Sequence, residues 1–152
     1  MKKLMTLGMI ALVALAAAYS MNSDAKTTLD ANKEVVTSFY KLAFNDHKPA
    51  AAVEKYVGAE YTQHNPMVAD GSLAFIDFVN GFVAKNPHLH VDIKRVIAEG
   101  DLVVTHVLIT TSDNDRGAAA MDIFRVEEGK IVEHWDVVQP VPDKPANENG
   151  MF

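Results

Sequence analysis

The sequence predicts an α+β fold, with helices first and an antiparallel meander after them. Apolar residues recur at three- and four-residue spacing up to Lys85, and from His88 the period drops to two. The β-branched runs of the second half are separated by the glycine turns "EGD" and "VEEGK".

The first helix is expected over Leu29–Asp46. Asp30 stands where a cap is needed, and Val35, Val36, Phe39, Tyr40, Leu42 and Ala43 form one apolar stripe. "NDHKP" breaks it. A short second helix over Pro49–Val57 has proline in its first turn and Gly58 as its stop. Tyr61–Gly71, "YTQHNPMVADG", has loop composition. A third helix runs over Ser72–Lys85, capped by Ser72 and closed by Asn86-Pro87. Two strands follow, "LHVDIKRVIA" and "LVVTHVLITT", then the loop "SDNDRG". In Leu102–Thr111 both alternation classes are apolar: Leu102, Val104 and Leu108 against Val103, Val107 and Ile109. Helices can cover one face, and a large apolar patch on the other calls for a partner, so a homodimer through the sheet is expected.

The last strand pair, "MDIFRVEEGKIVEHWDVVQ", carries Asp122, His134 and Asp136 among core-forming residues. Glu127-Glu128-Gly129 suits a three-residue loop with the glycine in the left-handed conformation. That register sets Val126 against Lys130, Phe124 against Val132, Asp122 against His134 and Ala120 against Asp136. A carboxylate beside an imidazole on a half-apolar face suits general acid–base work, and it equally describes a satisfied polar pair in a core. His106, mid-strand in "VVTHVLI", has the same two readings. His64 and Asn65 precede a proline, where Asn can simply serve a turn.

The 152-residue length suits one core, and 49% hydrophobic with 22% charged residues is ordinary for a globular protein. Net charge is −6 with no basic cluster beyond Lys3, which speaks against nucleic acid or an anionic membrane surface as partner. The absence of cysteine removes disulfides, thiolate nucleophiles, Cys-based metal sites and a lipidated anchor. Residues 1–25 have the pattern of a signal peptide: Lys2 and Lys3, then an apolar run from Leu4 to Tyr19 that is short of the roughly 20 residues a spanning helix needs. "SDA" places cleavage before Lys26, with Ala16-x-Ala18 as an alternative. The mature protein is then periplasmic or secreted, with no stable membrane anchor. Its domain spans residues 26–142, and residues 143–152 form a flexible proline-rich tail.

"YTQHNP", "EGDLVVTHV" and "DIFRVEEGKIVEHWDVVQPVP" together resemble the SnoaL-like polyketide cyclase family of the nuclear transport factor two-like superfamily, close to its predicted aldol-condensation enzymes. The resemblance runs from about Asn32 to Pro142. It implies a cone in which three N-terminal helices close over a strongly curved, mostly antiparallel sheet around a pocket, and catalysis without a cofactor or metal. It also implies Asp122 as general base, with His106 and His64 as pocket histidines. Related epoxide hydrolases use an aspartate matched by Asp136 and an asparagine matched by Asn65, but their Arg–Asp partner pair has no counterpart.

Three readings follow. In an acid–base enzyme of aldol or cyclase type, Asp122 takes a proton alpha to a carbonyl, His134 orients it, and His106 and His64 bond the enolate oxygen. A small apolar molecule in the pocket would meet Tyr61, Asn65, Phe124, Trp135 and Asp136. A non-catalytic exported protein could hold a hydrophobic small molecule in the same pocket. Metal binding by His64, His106, His134 and Asp122 lacks any ligand-spacing motif.

Overall fold

The computed structural model describes residues 26–152, so the leader read over residues 1–25 lies outside the described residues. Helix α1 occupies residues 26–40 and continues as a π turn over Lys41–Asn45. It is followed by α2 (Pro49–Tyr56), β1 (Val57–Gln63) and α3 (Ser72–Lys85). The remaining strands are β2 (His90–Glu99), β3 (Leu102–Thr110), β4 (Ala118–Glu127) and β5 (Lys130–Pro140). The strands form one open sheet in the order β1-β5-β4-β3-β2, antiparallel except where β1 runs parallel to β5. The α+β class and the three helices are as the sequence predicts.

Helix α1 buries Asn32, Val36, Phe39, Tyr40 and Ala43, a helical stripe that lies against the sheet. Asp30 does not cap it; the helix is already running at residue 26, and Asp30 pairs with Lys33 one turn on. The π turn closes with the Asp46 N–H donating to the Lys41 carbonyl. It delivers Asn45 to the sheet edge, where its side chain accepts the Val91 N–H and donates to the Val91 carbonyl. Helix α3 sends Phe75 and Val79 into the core. Its cap position is Gly71, at φ 91, and Ser72 makes no capping bond.

Strand β1 replaces the first part of the expected Tyr61–Gly71 loop. Only Val57 and Tyr61 of its seven residues are buried, so no apolar alternation marks it. Gly58 lies inside it, where an added Cβ would meet Val132 Cγ1 at 3.0 Å.

The β4–β5 hairpin departs from the expected register. Its loop has two residues, Glu128 and Gly129, at φ 49 and 74, the double left-handed signature of a type I′ turn. Glu127 therefore faces Lys130, and Val126 faces Ile131. Alone, that turn would send Asp122 and His134 to opposite faces. A β-bulge at Val132 restores the parity, so that Arg125 faces Glu133, Phe124 faces His134 and Asp122 faces Asp136. Asp122 and His134 thus share a face as diagonal neighbours rather than as a direct pair.

The inner face carries Val103, Thr105, Val107, Ala120, Asp122, Phe124, Val126, Ile131 and His134, all buried under the helices. Aromatic rings fill the interior: Phe39 lies 5.3 Å from Phe75 and 6.1 Å from Phe124, and Tyr40 meets Phe124 edge-on. The outer face leaves Ile97, Leu102, Met121, Ile123 and Val137 exposed. The C-terminal residues lie across part of this face, with the Phe152 ring stacked on His106.

Candidate active site

Between the helices and the inner face lies a cavity of about 360 Å³. Its apolar wall includes Phe39, Phe44, Phe75, Phe78, Phe82 and Phe124. The polar wall is built by the two sheet strands β4 and β5 and by β1. Alternation along β1 turns Tyr61 and Gln63 inward, and Asn65 follows on the same side just past the strand end. Asp122 comes from β4, and His134 and Asp136 come from β5. Among the lining residues there is no lysine or arginine.

Asp122 and His134 are 4% and 8% exposed. His134 Nε2 lies 3.2 Å from Asp122 Oδ1, and Thr105 Oγ1 donates to Asp122 Oδ2 at 3.3 Å. His134 Nδ1 lies 2.9 Å from Gln63 Oε1, and the ring rests 4.7 Å from that of Phe124. Gln63 Nε2 donates to the Tyr61 hydroxyl, and its Oε1 accepts the Asn65 backbone N–H. Asn65 Nδ2 donates to Asp136 Oδ2 at 2.7 Å. Every buried side-chain donor and acceptor among the described residues has a partner.

The two phenols beside this network are held protonated. Burial pushes Tyr40 well above the ordinary value, and the Asp122 charge adds to it. Burial does the same to Tyr61, helped by the Asp136 charge. Because the Tyr61 oxygen already accepts from Gln63, its own hydrogen is available to the cavity. Asp122, His134 and Asp136 each present a ligand atom within 4.8 Å of the others, so these three are where a cation could be held.

Of the residues expected at the site, Asp122, His134, Tyr61, Asn65, Phe124 and Asp136 line the cavity. His64, His106 and Trp135 do not. His64 follows the outward side of β1; its ring stacks on Trp135 at 4.7 Å, and its Nε2 meets Glu133 Oε1 at 2.9 Å. Glu133 also accepts from Arg125 Nε, and the His64 and Arg125 hydrogen bonds hold its carboxyl below the ordinary range. His106 sits on the outer side of β3, where Nδ1 accepts from Arg95 Nη1 at 2.7 Å. None of these three can touch a molecule in the cavity. Conversely, the sequence reading passed over Gln63, Tyr40 and Thr105. Extending strand alternation through "YTQHNP" would have exposed Gln63, since Tyr61, Gln63 and Asn65 alternate with Thr62 and His64.

Comparison with known proteins agrees with this architecture. Three solved structures share the fold at identities that carry no more than the fold. TsrD from Streptomyces laurentii is 18% identical, covering 72% of this chain and 88% of its own, with a TM-score of 0.61. A candidate polyketide cyclase from Bacillus cereus is 22% identical over 71% and 74% of the two chains, with a TM-score of 0.62. An NTF2-like protein of unknown function from Cytophaga hutchinsonii is 19% identical over 72% and 90%, with a TM-score of 0.57. No curated protein matches the sequence. The SnoaL-like domain model matches residues 36–134, from the buried stripe of α1 to the histidine of the cavity wall, and the chain belongs to that family.

Proposed function

We propose that the protein is an acid–base enzyme working without a cofactor on a small, apolar carbonyl compound, in a reaction of the aldol or cyclase type. The observation that carries this reading is the buried Asp122–His134 contact facing an aromatic cavity. Asp122 takes the proton alpha to the carbonyl: the C–H bond breaks, an O–H bond forms on the carboxylate, and the electron pair moves to the carbonyl oxygen. His134 orients Asp122. With His64 and His106 on the outer face, the Tyr61 hydroxyl is the donor placed to receive the enolate oxygen. The alpha carbon then bonds to the carbon of a second carbonyl, whose C=O π bond breaks to leave an alkoxide while the enolate returns to a carbonyl, and the proton on Asp122 passes to that alkoxide.

Asp122→Asn is expected to reduce turnover of activated β-dicarbonyl compounds by about 10²- to 10⁴-fold, the usual range for a general base. Undiminished turnover would remove Asp122 from that role. Elemental analysis of protein purified without chelators checks the same cluster for a bound metal, which the reading excludes.

The aromatic wall favours a second reading, a binding protein for a hydrophobic small molecule. Recovery of a co-purifying ligand that stays chemically intact on incubation would support it over catalysis. Export through residues 1–25 belongs to either reading, and N-terminal sequencing of the mature protein tests it.

A further inference from the structure

One oxygen decides where the hydrogens of the buried pair lie. Gln63 is fixed at both ends of its amide, by the Asn65 N–H on Oε1 at 2.9 Å and by the Tyr61 hydroxyl at Nε2 at 3.1 Å. A backbone N–H can only donate, so the Gln63 atom facing it is the carbonyl oxygen and not the amide nitrogen. The same oxygen faces His134 Nδ1 at 2.9 Å, so Nδ1 carries a hydrogen. Nε2, the other ring nitrogen, is thereby turned toward Asp122 Oδ1 at 3.2 Å.

We propose that Gln63 is the positioning residue of this site: its carbonyl oxygen accepts from His134 Nδ1–H and so holds the ring with Nε2 turned toward Asp122. Strand geometry makes this possible, because Gln63 and His134 are Cα partners across the parallel β1–β5 pair. The backbone of Gln63 is itself tied down, its N–H donating to Asp70 Oδ1 at 2.8 Å. The other groups around the pair are Tyr40 from α1, Tyr61 from β1, Thr105 from β3 and Asp136 from β5. None of them faces Nδ1 in Gln63's place. Without the Gln63 oxygen the ring has no reason to keep its hydrogen on Nδ1. The ring is then free to turn, and Nε2 is no longer held toward Asp122.

The effect on turnover rests on the acid–base reading above, whereas the protonation of the ring does not. The test is a long-range 1H–15N spectrum of protein labelled at histidine nitrogen. In the wild type the His134 signal is expected to show a protonated Nδ1; a ring protonated on Nε2 alone overturns the proposal. Gln63→Met, of similar length but without an acceptor, is expected to lose that fixed form and about 10²-fold in turnover. Gln63→Glu, which keeps an oxygen at Nδ1, is expected to retain the Nδ1–H signal. A Gln63→Met protein with the wild-type ring spectrum and wild-type turnover overturns the proposal. Should Gln63→Met not fold, the wild-type and Gln63→Glu spectra decide. Failure to turn over any carbonyl compound would sink the enzymatic reading and leave the ring spectrum to stand or fall by itself.

Discussion

Asp122 and His64 lie in segments that both looked catalytic, and their surroundings separate them. Asp122 is enclosed, with bonds to His134 and Thr105 and an aromatic ring on the neighbouring strand position. His64 is bonded to Glu133 at the surface, and a half-exposed pair of that kind contributes about 0.2–1 kcal/mol. His64→Ala and His106→Ala are therefore expected to leave turnover within about twofold and to lower stability by no more than about 1 kcal/mol. Denaturant titration and initial rates check both. A hundredfold loss of rate in either variant would show that the outer face takes part in the chemistry.

The β3–β4 connection shows how a loop can be built as firmly as a strand. Asp115 Oδ2 accepts from both the backbone and the hydroxyl of Thr111, and Oδ1 accepts from the Gly117 N–H. Gly117 sits at φ 77 with its Cβ position 2.2 Å from the Ile109 carbonyl oxygen, a place only glycine can occupy. These donors hold the Asp115 carboxyl below its ordinary 3.8, the Gly117 bond foremost. A depressed folded value means that the loop's contribution is present at neutral pH and is lost as pH falls below about 3.8, through the folded value. Asp115→Asn is expected to lower Tm at pH 7 and to narrow the gap to the wild type as pH drops toward 3. A gap that is constant with pH would refute the assignment.

Legibility in the sequence follows the same physical line. Helix α3 and strands β2 to β5 announce themselves through apolar periodicity, and Ser72–Lys85 has the bounds read from the sequence. Strand β1 gives no such signal, because two of its seven residues are buried and the rest answer to β5 and to the cavity. That His134 and Asp136 share a face was legible from parity along β5, whereas Asp122 was placed with them through a three-residue loop, for which the structure has a two-residue turn and a compensating bulge. Their partners were not, since glycine at 129 suits both a two-residue and a three-residue loop and nothing in "KIVEH" marks Val132 as the extra residue.

Across the whole molecule, the helices cover one face of the sheet and leave the other open. Ile97 is 61% exposed and Val137 69% on that open face, with Met121 and Ile123 between. Docking of a second copy there remains our proposal, and light scattering at micromolar concentration is expected to give the mass of a dimer; a monomer alone would end it. The tail that places Phe152 on His106 would have to share the surface with that copy. Strand β5 thus answers to two sides at once, cavity at His134 and Asp136 and exterior at Glu133, Trp135 and Val137. The Val132 bulge is what assigns them. Pair Val132 regularly, with no bulge, and the strand beyond it exchanges its two sides, presenting Glu133 and Trp135 to the interior and the chemistry to water. In this hairpin one unpaired residue, more than the turn, decides which side chains face the cavity. Deletion of Val132 is accordingly expected to leave His134 opposite Phe124 and Asp136 opposite Asp122, because the ladder then runs on without a bulge.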